Sequence, residues 1–129
     1  TRKFRELNPK IQCYAIEPAE ELHGLEGLKH MASSIVPGIY DESILDGKIS
    51  VATEDAYDML ETLEKEEGIL VGHSSAAAVI AATELAGKIE KGVIVTIFPD
   101  SCDTTYINFS KFKEFQDSQM PPATHKTDH

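Results

Sequence analysis

Residues 76–86 read Ala-Ala-Ala-Val-Ile-Ala-Ala-Thr-Glu-Leu-Ala, a helix-forming run that is apolar on nearly every side. A helix without a polar face has to be buried, so neighbouring elements must cover it from more than one direction. Short β-branched runs supply those neighbours. Residues 92–98, Gly-Val-Ile-Val-Thr-Ile-Phe, have the unbroken apolar pattern of a central parallel strand and end abruptly in Pro99-Asp100-Ser101. Strands alternating with helices predict an α/β fold, a mostly parallel sheet flanked by helices, with functional sites beyond the C-terminal ends of the strands.

The remaining elements follow from local signals. Residues 1–7 are helix-like and stop before Asn8-Pro9, because a residue preceding proline is pushed out of the helical region. Residues 11–16, between Pro9 and Pro18, suit a buried strand, which leaves Glu17-Pro18 at its C-terminal end. From residue 19 to 46 glycines and prolines punctuate a long ordered loop with one short helix around residues 25–31. Such a loop is either a lid over a site or a packed surface excursion. Residues 48–52 form a short strand, and Thr53 is the expected N-cap of a helix whose first turn holds Glu54 and Asp55. Ala56, Met59, Leu60 and Leu63 recur at helical spacing as core positions, and Gly68 closes the helix in a left-handed conformation. An amphipathic segment is expected near residues 106–115, followed by a disordered polar tail at 117–129.

Composition narrows the function. With 22 acidic against 12 basic residues the net charge is -10, which repels nucleic acid and anionic membranes. No apolar run approaches the roughly 20 residues of a membrane span, and no charged-then-apolar leader opens the chain, so a soluble protein is expected. Cys13 and Cys102 lack metal-like spacing and fit a reducing cytoplasm, although one long-range disulfide stays open. The five histidines form no metal motif. The chain opens Thr-Arg-Lys-Phe, in what reads as the middle or end of a helix, which points to processing or cleavage of something longer.

Two polar clusters are candidates for chemistry: Gly72-His73-Ser74-Ser75 at the start of the buried helix, and Pro99-Asp100-Ser101 after the apolar run. In a parallel sheet both emerge on the same edge. The free N–H groups of a helix start can receive an anion or a polar ring atom, and the Ser74 or Ser75 hydroxyl can reach a ligand or merely cap the helix.

Residues 66–79, Glu-Glu-Gly-Ile-Leu-Val-Gly-His-Ser-Ser-Ala-Ala-Ala-Val, resemble the cysteine synthase signature EEGILVGISSGAAV. Tyr14-Ala-Ile-Glu-Pro18 resembles that family's Y-G-V-E-P strand, Ile35-Val-Pro-Gly-Ile-Tyr40 its F-V-P-E-I-L segment, and Val95-Thr-Ile-Phe-Pro-Asp-Ser101 its V-V-I-L-P-D-S. The landmarks occur in the family's order over residues 1–116, and His23-Gly-Leu-Glu-Gly-Leu-Lys-His-Met31 resembles the B-type branch more than the A-type branch.

The resemblance implies the C-terminal α/β domain of a two-domain, fold-type II pyridoxal 5'-phosphate (PLP) enzyme of the cysteine synthase or cystathionine β-synthase group. It implies an amino-acid substrate, O-acetylserine or O-phosphoserine, and β-replacement with sulfide to give L-cysteine, in a cytoplasmic homodimer. Ser74 then occupies the position that hydrogen-bonds the pyridine nitrogen of PLP, with Asp100 and Ser101 close behind the ring. Gly24, Gly27 and Lys29 belong to the loop at the substrate entrance. A neutral hydroxyl does not hold the ring nitrogen protonated as a carboxylate would, which moderates the electron sink.

This chain departs from the pattern at Ala76 and Cys102, both glycine in the family, and at Asp103-Thr-Thr-Tyr106, where the family has E-R-Y. No lysine stands in the family's Ser-x-Lys-Asp/Asn-Arg context, and the glycine-rich phosphate loop is absent. The Schiff-base lysine is therefore expected upstream, and these 129 residues alone are expected to be catalytically silent. The competing expectation is a noncatalytic α/β module, or a degraded paralogue, that acts through protein contact.

Overall fold

The computed structural model describes residues 1–21, 24, 25 and 27–101. The expected segment at 106–115, the tail, Cys102, Asp103 to Tyr106 and His23 lie outside the described residues. Helix α1 spans Arg2–Leu7, strand β1 Tyr14–Pro18 and strand β2 Gly47–Val51. Between the strands run two single 3-10 turns, Met31–Ser33 and Glu42–Ile44. Helix α2, Thr53–Thr62, widens into a π-type turn at Leu63–Glu67, and helix α3 is His73–Ala86. Among the described residues no helix is long and apolar enough to cross a membrane.

β1 and β2 pair in parallel, with Tyr14 opposite Gly47 and Pro18 opposite Val51. β1 therefore lies later in the chain than the expected 11–16. Asp46 explains the shift: its backbone N–H donates to Cys13 O at 2.9 Å, and its carboxylate accepts the Cys13 N–H at 2.7 Å, so pairing starts directly after Cys13. The same carboxylate holds Arg5 of α1 at 3.0 Å, clamping the first helix to the strand entrance. Cys13 is a free thiol.

The loop from 19 to 46 replaces the helix that commonly joins parallel neighbours. Among the described residues the expected short helix at 25–31 is not formed: a single turn closes from Leu28 N–H to Leu25 O at 3.2 Å, Gly27 takes a left-handed φ of 85°, and the first 3-10 segment begins only at Met31. Leu25 instead drives inward. It is fully buried in one core cluster with Ile49, Val51, Ala56, Ala77 and Ala81, joining the loop, β2, α2 and α3. Lys48 ties the second 3-10 turn to the strands through Glu42 at 2.8 Å and Glu17 at 3.5 Å. The Glu42 bond, chiefly, holds the Lys48 ammonium above its ordinary pKa.

Gly68 closes the second helix at φ 67°, as its position after the periodic residues requires. The expected N-cap differs. Thr53 is already the first helical residue, and its N–H donates to the Glu20 carboxylate of the loop, 3.2 Å from the nearer oxygen. The Thr53 hydroxyl also donates to Glu20 at 3.2 Å and accepts the Gly24 N–H at 3.3 Å. A long-range carboxylate thus does the work expected of the local hydroxyl.

α3 is buried from His73 to Ala78 and at Ala81, while Thr83 and Glu84 meet water. Ala76 carries its extra methyl into a second apolar cluster with Leu63 and Val71, which accommodates the replacement of glycine. The expected central strand at 92–98 is not formed. Among the described residues it pairs with no neighbour, and Val93, Val95 and Ile97 are 89, 85 and 78% exposed. A β-branched run favours an extended backbone, but only an adjacent strand makes it a ladder. The single bridge nearby is antiparallel, between Val71 and Ser101.

Candidate functional site

The Val71–Ser101 bridge brings the chain after the apolar run against the segment that enters α3. Asp100 thereby reaches the first turn of that helix. The Ser74 hydroxyl donates to Asp100 Oδ2 at 3.0 Å, and the Ser75 hydroxyl donates to Asp100 Oδ1 at 2.5 Å. Ser74 is 8% exposed and Ser75 is fully buried, so water competes little for these bonds. The positive end of the helix dipole favours the carboxylate there.

Gly72 makes the approach possible. Its φ of -82° is open to any residue, but a Cβ at this position would overlap the Asp100 carboxylate. The glycine is required for space rather than for conformation, a reason that the motif alone does not give.

The two polar clusters, separate in sequence, therefore form one site through Ser74, Ser75 and Asp100. Ser101 contributes backbone pairing to Val71 and has an exposed side chain. In the loop, Gly24 is held to α2 from both sides: its N–H bonds Thr53, and its carbonyl accepts the Tyr57 hydroxyl at 3.4 Å. Gly27 and Lys29 are exposed on the loop surface.

Tyr57, which nothing in the sequence singled out, and His73, named there only as a member of the cluster at the start of α3, connect these regions. The fully buried imidazole of His73 stacks on Tyr57, with centroids 5.6 Å apart and planes inclined by 22°. Tyr57 thus touches both the loop at Gly24 and the residue before Ser74. The available signal was a histidine where the signature has isoleucine. An open depression lined by Ala86, Ile89, Glu90, Lys91, Gly92 and Ile94 sits at the opposite end of α3, about 20 Å of helix away, and has no comparable convergence of polar groups.

Residues 1–100 match the family model described as pyridoxal-phosphate dependent enzyme. The chain belongs to this family. A cysteine synthase of Aquifex aeolicus is 54% identical over 103 residues, covering 77% of this chain and 32% of that protein. Cysteine synthase B of Pseudomonas aeruginosa is 33% identical over 103 residues, covering 80% of this chain and 34% of that protein. Among solved structures, cysteine synthase from Entamoeba histolytica superposes with a TM-score of 0.72 at 30% identity, over 87% of this chain and 35% of that one. The chain spans about a third of the length of the relatives it matches. Its parallel strands and packed helices are part of the α/β architecture of the fold-type II PLP enzymes.

PLP is the family's cofactor, and the donor set at α3 fits the nitrogen side of its ring. A hydroxyl is both donor and acceptor, so Ser74 can bond a pyridine nitrogen in either protonation state. The space beside Gly72, kept free of a side chain, holds Asp100 where it orients that hydroxyl.

Proposed function

We propose that this chain is the C-terminal α/β part, residues 1–116 with a polar tail at 117–129, of a PLP-dependent cysteine synthase. The whole enzyme makes L-cysteine by β-replacement of O-acetylserine or O-phosphoserine with sulfide and works as a cytoplasmic homodimer. The observation that carries this reading is the buried Ser74 hydroxyl at the start of α3, within a stretch that follows the cysteine synthase signature.

When bound, PLP supplies the electron sink that lets the β-substituent leave. Ser74 bonds the ring nitrogen and fixes the ring against the helix start. Asp100 and Ser101 stand behind it, and Asp100 holds the Ser74 hydroxyl in one direction. The Gly24, Gly27 and Lys29 loop lines the substrate entrance, and the two bonds on Gly24 anchor one end of it to α2.

The lysine that bonds the cofactor covalently belongs to another part of the enzyme, so these residues alone do not catalyse. The test supplies the full-length protein with PLP, sulfide and either O-acetylserine or O-phosphoserine, and measures cysteine. Cysteine formed by the full-length protein and not by this chain is the expected result; no cysteine from either ester contradicts the reading.

A further inference from the structure

Helix α2 presents two side chains to one residue of the loop. Thr53 and Tyr57 are four positions apart and so lie on one face of the helix. The Thr53 hydroxyl accepts the Gly24 N–H at 3.3 Å, and the Tyr57 hydroxyl donates to the Gly24 carbonyl at 3.4 Å. The second bond is close to the longest at which a hydrogen bond still forms, so a small swing of the Tyr57 ring breaks it. His73 restrains that swing. Its imidazole lies nearly flat against the Tyr57 ring, and it is fully buried at the first position of α3, held by close packing.

We infer that His73 and Tyr57 form a latch that sets the position of the loop at Gly24 and thereby tunes how tightly the amino-acid ester is bound. This rests on the role at the substrate entrance proposed above for the loop. Both are positioning residues: His73 acts through Tyr57, and Tyr57 acts through the Gly24 backbone.

The latch distinguishes this chain from the signature that residues 66–79 resemble, which has isoleucine where His73 stands. Isoleucine fills a core position, but it offers a branched surface in place of a flat ring. A stacked aromatic pair adds about two- to tenfold to an equilibrium beyond the area that it buries. Leu25, next to Gly24, is fully buried among residues of β2, α2 and α3. Loss of the latch therefore leaves the loop anchored in the core and moves only its Gly24 end. A histidine that served only as core filling would change stability and leave substrate binding as it was.

The experiment uses the full-length protein with PLP, the ester it accepts and saturating sulfide. His73→Ile should raise the KM for the ester about two- to tenfold with kcat per bound PLP unchanged, the pattern of lost uniform binding. His73→Phe keeps a flat ring against Tyr57 and should restore KM to within about twofold of the wild type. Tyr57→Phe keeps the stack and removes the hydroxyl, so it should raise KM by a similar factor of about two to ten. In that background His73→Ile should add nothing, because the stack works through the hydroxyl.

Cysteine formation with an unchanged KM in Tyr57→Phe overturns the inference and leaves the proposed function intact, and this nearly isosteric variant decides even if His73→Ile does not fold. A His73→Ile effect that persists undiminished in the Tyr57→Phe background also overturns it, as does a His73→Phe protein with the KM of His73→Ile. A full-length protein that makes no cysteine from either ester overturns the reading on which the inference rests.

Discussion

Gly72 and Asp100 are complementary in shape: the aspartate carboxylate occupies the space that a side chain at 72 would fill. Replacing Gly72 by alanine should therefore push Asp100 off both serines and cost about 1–3 kcal/mol, as overpacking a fitted site does. Gly87, after α3, is the control. It has φ -66° and ψ -17°, and an added Cβ would meet only backbone oxygens at ordinary contact distances of 3.5 and 3.8 Å. Gly87→Ala should stabilise by about 0.4–1 kcal/mol through the unfolded chain. Urea unfolding of both variants checks the contrast, and equal effects would refute the steric account.

Glu20 takes over the capping of α2. Glu20→Ala removes the acceptor of both the Thr53 N–H and the Thr53 hydroxyl and should cost about 0.5–2 kcal/mol, the range of a lost cap. It should also free the loop at Gly24, whose N–H bonds the same threonine. Thermal unfolding and amide exchange at Gly24 report the two effects; an unchanged melting temperature would show that the Glu20 contact contributes nothing.

Asp46 provides a pH signature. Its carboxyl is held below the usual value of 3.8, first by the Cys13 N–H and also by the Arg5 guanidinium, against some desolvation. A folded-state pKa lowered in this way stabilises the fold above the unfolded value, and the contribution is lost as pH falls through the folded one. The urea midpoint should therefore drop as pH falls below about 5, and less steeply in Asp46→Asn. Parallel curves for the two proteins would remove Asp46 as a cause.

The sequence showed most clearly what depends on neighbours in the chain. The periodic Ala56, Met59, Leu60 and Leu63, closed by Gly68, gave α2 and its end, because helical spacing and a left-handed closing residue are local properties. It misled where a distant group decides. Asp46 sets where β1 begins, Glu20 caps the helix expected to start on Thr53, and Leu25 enters the core from what reads as a surface loop. Residues 92–98 have a strand's composition without a strand's neighbour among the described residues. At the site, Ser74 and Asp100 were legible as members of two polar clusters, but the shared edge of a parallel sheet expected to join them is not what does so: an isolated antiparallel bridge between Val71 and Ser101 brings them together. Their hydrogen bond, the space beside Gly72 and the stacking of Tyr57 on His73 are tertiary contacts that no local pattern encodes.

The most direct test of the account is the visible spectrum of the full-length protein titrated with PLP, with and without Ser74→Asp. The wild type should acquire a saturable visible band from the bound cofactor, and the band should shift or weaken when a carboxylate replaces the hydroxyl proposed to face the ring nitrogen. A wild-type protein that acquires no band, or a Ser74→Asp protein whose band is unchanged, would contradict the place given to Ser74.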